Sequence, residues 1–375
     1  MTLSPEWLDQ LRQRTTLSAL IGKSVKLTRK GGESKGCCPF HNEKTPSFTI
    51  NDDKGFYHCF GCGAHGDAIR WLTDGQGMAF MDAVKDLAAA AGMEVPAPSP
   101  QVREREAHVE SVATALGTAA DWYADQLRGA DDIRAMLAER GIGDAAIERF
   151  GLGFAPPKKG VAACGISPDA LAGAGLLVED GKSGAWRDFF RNRVMIPVAD
   201  ARGRTVGFAG RAVVSGGPND PPKYINSPDS DHFDKGNLLF NLHRAAPAAR
   251  TARRLVIVEG QFDVVALDQA GIAESVAPMG TALTERQLER AWRVVNCPIL
   301  LFDGDSAGSK AALRAVERAM PFVGPGQSLA IAQLPDGEDP DSLVRSQGRD
   351  AIEAAIAAAV PLADWLFQTL LDQAA

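Results

Sequence analysis

Leu255-Val256-Ile257-Val258-Glu259 and Ile299-Leu300-Leu301-Phe302-Asp303-Gly304-Asp305 are two short apolar runs that each end on carboxylates. A run of four to eight apolar residues bounded by turn-forming residues fits a strand buried on both faces. A third run, Ser328 to Gln333, leads after a short loop to Asp339 and Asp341. Helical patterning separates them: Phe262 to Gln269, Ala307 to Ala319 and Leu343 to Ala358. Apolar strands alternating with helices predict a largely parallel sheet covered on both faces.

In such a sheet, ligands bind outside the carboxyl ends of the strands. Glu259, Asp263, Asp303, Asp305, Asp339 and Asp341 are therefore expected to gather along one rim. Residues i and i+2 of an extended segment project to the same side, so Asp303 and Asp305 can act as a pair. Two carboxylates about 4 Å apart repel by roughly 1 kcal/mol in water and about 4 kcal/mol at an effective dielectric of 20. Mg²⁺ or Mn²⁺ relieves that repulsion, because hard cations take oxygen ligands. Two such ions activate an attacking hydroxyl and stabilise a leaving oxygen, the needs of phosphodiester chemistry. The plainer alternative makes these acids loop residues and helix N-caps, for which Asp305 and Ser306 are well suited. Three strands ending the same way favour a site.

Near the start of the chain, Cys38-Pro39-Phe40-His41 is answered by Cys59-Phe60-Gly61-Cys62. Two such pairs in one short segment fit a tetrahedral zinc site, with each tight turn presenting two donors. Ser47 to Ile50 and Gly55 to His58 alternate well enough to form a hairpin that brings the pairs together. Holding the metal supplies on the order of 10–16 kcal/mol of apparent folding free energy to a small ribbon. Cys37, His58 and His65 flank the pairs and are open substitutes. Phe48, Tyr57 and Phe60 are either ribbon core or platforms for stacked bases.

At 375 residues and 45% hydrophobic, the chain can bury more than one core. Six cysteines, four of them near the ribbon, form no disulfide framework and fit a reducing compartment. No apolar run is long enough to span a bilayer and no secretory signal is visible, so the expectation is a cytoplasmic protein with no membrane association. The net charge of −7 argues against nucleic acid when taken alone. The cations are nevertheless clustered: Lys23 to Lys44 around the ribbon, and Arg187 to Arg211 with Lys223 in mid-chain.

Residues 4–22 have helical spacing, as do Asp67 to Leu72, Met78 to Ala91, Val102 to Leu127, Ile133 to Glu139 and Ala145 to Phe150. Pro96 to Pro100 reads as a stiff, non-helical connector. Val194 to Val198 and Arg204 to Ala209 form a strand pair about a turn at Asp200 to Gly203. The expected organisation is α+β and multidomain: a zinc ribbon (1–95), a linker (96–107), a mixed α/β subdomain (108–250), the acidic α/β subdomain (251–345) and the start of a helical part (346–375). Gly175 to Ser183 has the wrong glycine spacing for a phosphate loop.

These residues resemble the bacterial replicative DNA primases of the DnaG type. Cys38 to Phe48 and Tyr57-His-Cys-Phe-Gly-Cys-Gly63 are similar to that family's zinc-binding domain. Phe190-Arg-Asn-Arg193, Gly207 to Arg211 and Pro222 to Pro228 resemble its polymerase N-terminal subdomain. Val258-Glu-Gly-Gln-Phe-Asp263, Phe302 to Gly308 and Leu334 to Asp341 resemble its TOPRIM metal motifs. The resemblance implies a DNA-templated RNA polymerase that makes primers de novo, using a single-stranded DNA template and ribonucleoside triphosphates and releasing an RNA primer.

It further implies one structural zinc on Cys38, His41, Cys59 and Cys62. Glu259, Asp303 and Asp305 would be catalytic metal ligands, Asp339 and Asp341 further ligands, and Asp263 close by. Arg140, Arg211, Lys223, Tyr224 and Asn226 would handle nucleotide and template. The replicative helicase is expected as the family's partner, although its docking domain is not recognisable in this sequence. A type IA topoisomerase fragment needs a nucleophilic tyrosine, and Tyr57, Tyr123 and Tyr224 are poor candidates. A non-catalytic recombination mediator would not need the full set of acids.

Overall fold

The computed structural model describes residues 3–97, 100–181, 183–214, 220–280 and 283–374, and the chain separates into two units, Met1–Ala107 and His108–Ala375. In the first unit, strands Phe48–Asn51 and Phe56–Cys59 form the expected hairpin, with Ile50 opposite Tyr57. Thr28–Lys30 and Glu33–Gly36 add two more antiparallel strands, and His65–Gly66 closes the far edge. Sequence periodicity misses Thr28–Lys30 because all three residues are exposed and carry no alternation. Phe48, Ile50 and Tyr57 point into a core shared with Trp71, Val84 and Leu87. Phe48 and Tyr57 are therefore ribbon core, whereas Phe60 is 75% exposed.

Residues 4–22 form two helices rather than one. Pro5–Arg14 starts on Ser4, whose hydroxyl accepts the Trp7 amide, and stops at extended Thr15; Leu17–Ile21 follows. Ala68–Arg70 runs into a π-helical turn at Trp71–Gly75, and Phe80–Ala90 completes the unit. Of the connector, Pro98 and Ser99 lie outside the described residues. Pro100 is the first residue of the 29-residue helix Pro100–Arg128, so the expected 96–107 linker is helical over most of its length. Proline is well tolerated in a first helical turn, where its missing N–H has no partner to lose.

The second unit holds two main sheets. Four antiparallel strands run in the order Tyr224–Asn226, Thr205–Ala212, Arg193–Ala199, Gly153–Ala155. Val112, Leu116 and Tyr123 of the long helix pack on one face of this sheet with Met195 and Phe208. Its other face, carrying Val194, Ile196 and Ala209, shares a core with the second sheet.

That second sheet has six strands: Leu239–Phe240, Ser275–Pro278, Val256–Ile257, Ile299–Phe302, Ala330–Gln333 and Val360–Pro361. The inner four are parallel and the two edges antiparallel. Leu255, Ile257, Leu300 and Phe302 face Trp292 and Val316 on one side. Val256, Val258 and Leu301 face Phe262 and Val265 on the other. Both faces are covered, which is why these strands are apolar throughout. The expected helix Leu343 to Ala358 is two, Pro340–Gln347 and Arg349–Ala357, broken at Gly348 with φ +78°. Among the described residues no helix is long and apolar enough to cross a membrane.

Candidate functional site

Asp303 directly follows its strand, Glu259 comes two residues after the adjacent parallel strand, and Asp339 follows the next strand after a short loop. Asp303 is raised to about 7, first by burial and then by Glu259, Asp339 and Asp305, with Lys223 opposing. Asp263 is raised well above the carboxylate range by burial, then by Asp303 and Asp339. Partial desolvation raises Glu259, and Asp305 adds to it. Acids from separate strands thus lie in one another's field.

Oδ1 of Asp303 is buried with no hydrogen-bond partner. An orphaned carboxylate oxygen among like charges fits a hard divalent cation. Among the described residues these acids do not close around a single ion position; they form an open rim. Such openness suits magnesium, which is commonly held by one or two carboxylates together with substrate phosphates.

Glycines hold the rim together. A Cβ on Gly304 would lie 1.8 Å from the Pro335 carbonyl oxygen, and one on Gly308 would lie 2.3 Å from that of Asp303. Gly304 N donates to Glu338 O at 2.9 Å and Gly337 N to Gly304 O at 3.0 Å, so the Asp303 and Asp339 loops are bonded to each other. The capping role is present as well. An Asp305 oxygen accepts the Ala307 and Gly308 amides at 2.8 and 2.7 Å, and Asp339 accepts the Ser342 amide at 2.6 Å. Capping occupies one oxygen of each, and among the described residues the other accepts no hydrogen bond.

A basic bank faces these acids within the same unit. Arg211 pairs across the antiparallel sheet with Tyr224, and Lys223 Nζ lies 5.8 Å from the Tyr224 ring centre. Asn226 Nδ2 donates to Met279 O at 2.7 Å, tying the two sheets, while its Oδ1 is buried without a partner. Arg140 Nη2 is 3.8 Å from Asp341 Oδ2, and Arg345 Nε is 3.3 Å from the other oxygen. Asp341 is buried and partly occupied by these cations; burial raises it and Arg345 opposes. Arg193, part of a basic stretch and of the Phe190-Arg-Asn-Arg193 motif in the sequence but given no role there, donates to Gly210 O and Pro222 O and so anchors the Lys223 segment. Phe262, unremarked in the sequence beyond its place in a motif, lies under both Arg140 and Arg211.

In the first unit, ligand atoms of Cys38, His41, Cys59 and Cys62 all lie within 4.8 Å of one another. Cys38 and Cys62 sulfurs are 3.7 Å apart, and Cys59 Sγ is 3.8 Å from His41 Nδ1. A zinc–sulfur bond of about 2.3 Å gives a tetrahedron edge of about 3.8 Å, so the spacing fits the metal. Phe40 N donates to Cys38 Sγ, and Gly61 N and Cys62 N donate to Cys59 Sγ. Burial opposes ionisation of Cys59, but Ser47 and these amides outweigh it and draw the thiol down to about 6. Burial pushes Cys38 up to about 12, a cost that a bound cation removes.

Cys37 is exposed and outside the cluster. Glu43 ties the first knuckle to the hairpin: its carboxylate accepts from Cys38 N at 2.6 Å and from Ser47 Oγ at 2.5 Å. Spacing rules gave no signal for Glu43, since it holds the Cys38 amide and the Ser47 hydroxyl and is not itself one of the four ligands.

Residues 3–103 match the CHC2 zinc finger family, 122–246 the DNA primase catalytic core N-terminal domain, and 253–325 the Toprim domain. The DNA primase of Escherichia coli is 42% identical over 379 residues, covering 98% of this chain and 64% of the relative. That of Pseudomonas aeruginosa is 40% identical, covering 98% of this chain and 57% of the relative. The chain thus spans less than two thirds of the length of these curated relatives. The zinc-binding and RNA polymerase domains of Aquifex aeolicus primase superpose with a TM-score of 0.64 at 32% identity, covering 99% of this chain and 89% of that one. A DnaG primase catalytic domain bound to single-stranded DNA superposes with a TM-score of 0.65 at 39% identity, covering 72% of this chain and 84% of that one.

Proposed function

The chain belongs to the DnaG-type bacterial DNA primase family, and from that premise we propose that it synthesises short RNA primers de novo on single-stranded DNA. The observation that carries this reading is the carboxylate rim: Asp303, with a buried orphaned oxygen, in the field of Glu259, Asp305 and Asp339. We assign residues 1–95 to a zinc-binding part and 108–250 with 251–345 to a polymerase part. One structural zinc is held by Cys38, His41, Cys59 and Cys62.

Glu259, Asp303 and Asp305 hold Mg²⁺ or Mn²⁺, with Asp339 and Asp341 as further ligands and Asp263 behind them. When bound, such ions supply charge neutralisation and a more acidic 3′-hydroxyl. Arg140, Arg211 and Lys223 bind the triphosphate of the incoming ribonucleotide and neutralise charge as pyrophosphate leaves. Tyr224 and Asn226 orient the nucleotide and template beside them. The exposed Phe60 offers a stacking face to a template base. The cytoplasm at the replication fork is the proposed location, with the replicative helicase as the family's expected partner.

The test is incubation with single-stranded DNA, ribonucleoside triphosphates and Mg²⁺. Short RNA is expected, and Asp303→Ala should abolish it while template binding stays within about twofold. An Asp303→Ala variant that makes RNA at the wild-type rate would end the assignment.

A further inference from the structure

Arg211 is a cation with only 6% of its surface exposed, and among the described residues no carboxylate lies within ion-pair distance of it. Burying a charge in that way is unfavourable unless something else compensates. The compensation comes from Tyr224, whose side chain hydrogen-bonds Arg211, from the field of Asp341, and from aromatic faces. The Arg211 guanidinium carbon lies 5.4 Å from the Phe262 ring centre and 6.0 Å from that of Tyr224. Arg140 approaches Phe262 as well, at 5.8 Å. Tyr224 and Phe262 are themselves 6.5 Å apart, so one ring serves two guanidiniums and leans on a second ring. Phe262 is 4% exposed and belongs to the helix that begins just after Glu259, one residue before Asp263.

A support of this kind differs in kind from a salt bridge. A carboxylate would saturate the N–H donors of each guanidinium; a π face attracts the cation without accepting from those donors. The Nε atoms of both Arg140 and Arg211 are buried without a partner, as expected for donors kept in reserve. Arg140 reaches Asp341 only at 3.8 Å.

We infer that Phe262 is a positioning residue: its ring holds the guanidiniums of Arg140 and Arg211 together, their Nε donors unpartnered, to grip the triphosphate of the incoming nucleotide. This rests on the primase reading, since that reading makes the two arginines triphosphate ligands. Phe262 precedes Asp263 in the same helix and acts through the two arginines. It fixes the distance between two forks on elements of separate origin, the end of helix Asp131–Glu139 and strand Thr205–Ala212. Preorganised forks bind without first having to be ordered.

The experiment compares the full chain with Phe262→Leu, which keeps apolar bulk but removes the π face, and Phe262→Tyr, which retains it. Affinity for a non-hydrolysable ribonucleoside triphosphate is titrated directly in Mg²⁺, and KM and kcat for primer synthesis are measured beside it. Two contacts of about 0.5–1 kcal/mol each give a loss of about five- to thirtyfold in affinity and KM for Phe262→Leu. kcat should stay within about threefold, and Phe262→Tyr should recover wild-type affinity. In the Phe262→Leu background, Arg140→Lys should lose much less affinity than it does alone.

Wild-type affinity in Phe262→Leu overturns the inference. So does an equal loss in Phe262→Tyr, or a loss confined to kcat. Thermal unfolding identifies a Leu variant that is merely misfolded, and Phe262→Met, another flexible apolar replacement, then takes its place. A wild-type chain that binds the triphosphate but makes no RNA sinks the primase reading, while the affinity comparison still judges Phe262. A wild-type chain that binds none overturns both.

Discussion

Gly304→Ala adds a single methyl group at the centre of the acidic rim. The new Cβ would sit 1.8 Å from the Pro335 carbonyl oxygen and 2.7 Å from that of Leu334. Both neighbours are backbone, so no side chain can swing aside. Restoring a contact of about 3.0 Å requires the two loops to part by roughly 1.2 Å. That movement strains the bonds from Gly304 N to Glu338 O and from Gly337 N to Gly304 O.

Two weakened hydrogen bonds at about 1 kcal/mol each, with overpacking of about 1–2 kcal/mol, give a destabilisation of roughly 2–4 kcal/mol. For a unit of this size that lowers Tm by about 5–12 °C. Activity should fall further than stability, because Asp339 moves relative to Asp303. A misplacement of about 1 Å at a reacting centre costs on the order of a hundredfold. Steady-state primer synthesis at 20 °C, where the variant is still folded, separates the two effects. Calorimetry then reports the stability term. Wild-type turnover with a wild-type Tm would refute the claim that the two loops are locked at this residue.

Protonation of Asp303 gives a second expectation. Its carboxyl sits at about 7 in the fold against about 3.9 in the unfolded chain, so the folded state holds the proton more tightly. Its contribution is fully present below about pH 4 and is lost as pH rises through about 7. The shift corresponds to about 4 kcal/mol, of which about 1–2 kcal/mol survives solvent screening. Urea unfolding without divalent cations should show that loss between about pH 4 and 7. Asp303→Asn should flatten the profile, and an unchanged slope would count against the shift. In the zinc unit, Glu43→Ala removes the acceptor that holds the Cys38 amide and the Ser47 hydroxyl. Zinc affinity by chelator competition should drop about 10- to 100-fold; an unaltered value would mean that the knuckle holds its shape without Glu43.

Strands Leu255 to Val258 and Ile299 to Phe302 were readable because both faces are buried, and that leaves an unbroken apolar signal. Thr28–Lys30 and Tyr224–Asn226 were not: three residues, exposed or half-buried, carry too little alternation to stand out. Gly348 hid a helix break inside an alanine-rich stretch whose periodicity continues across it. The acids were visible as a set, because each follows its strand in sequence. What held them was not. The contact between Gly304 and Pro335 joins loops that no local pattern relates, and the Phe262 support joins three separate segments.

Asp305 and Asp339 each hold two offices, one at the rim and one as the N-cap of a helix. A cap needs a short arm: aspartate reaches the amides two and three residues on, whereas glutamate, one methylene longer, overshoots them. Glu259 starts no helix, since Gly260 occupies that place, and here the longer acid is accommodated. The choice between the two acidic letters along this chain therefore carries geometric information: it marks where charge alone is required and where charge must also begin a coil of backbone.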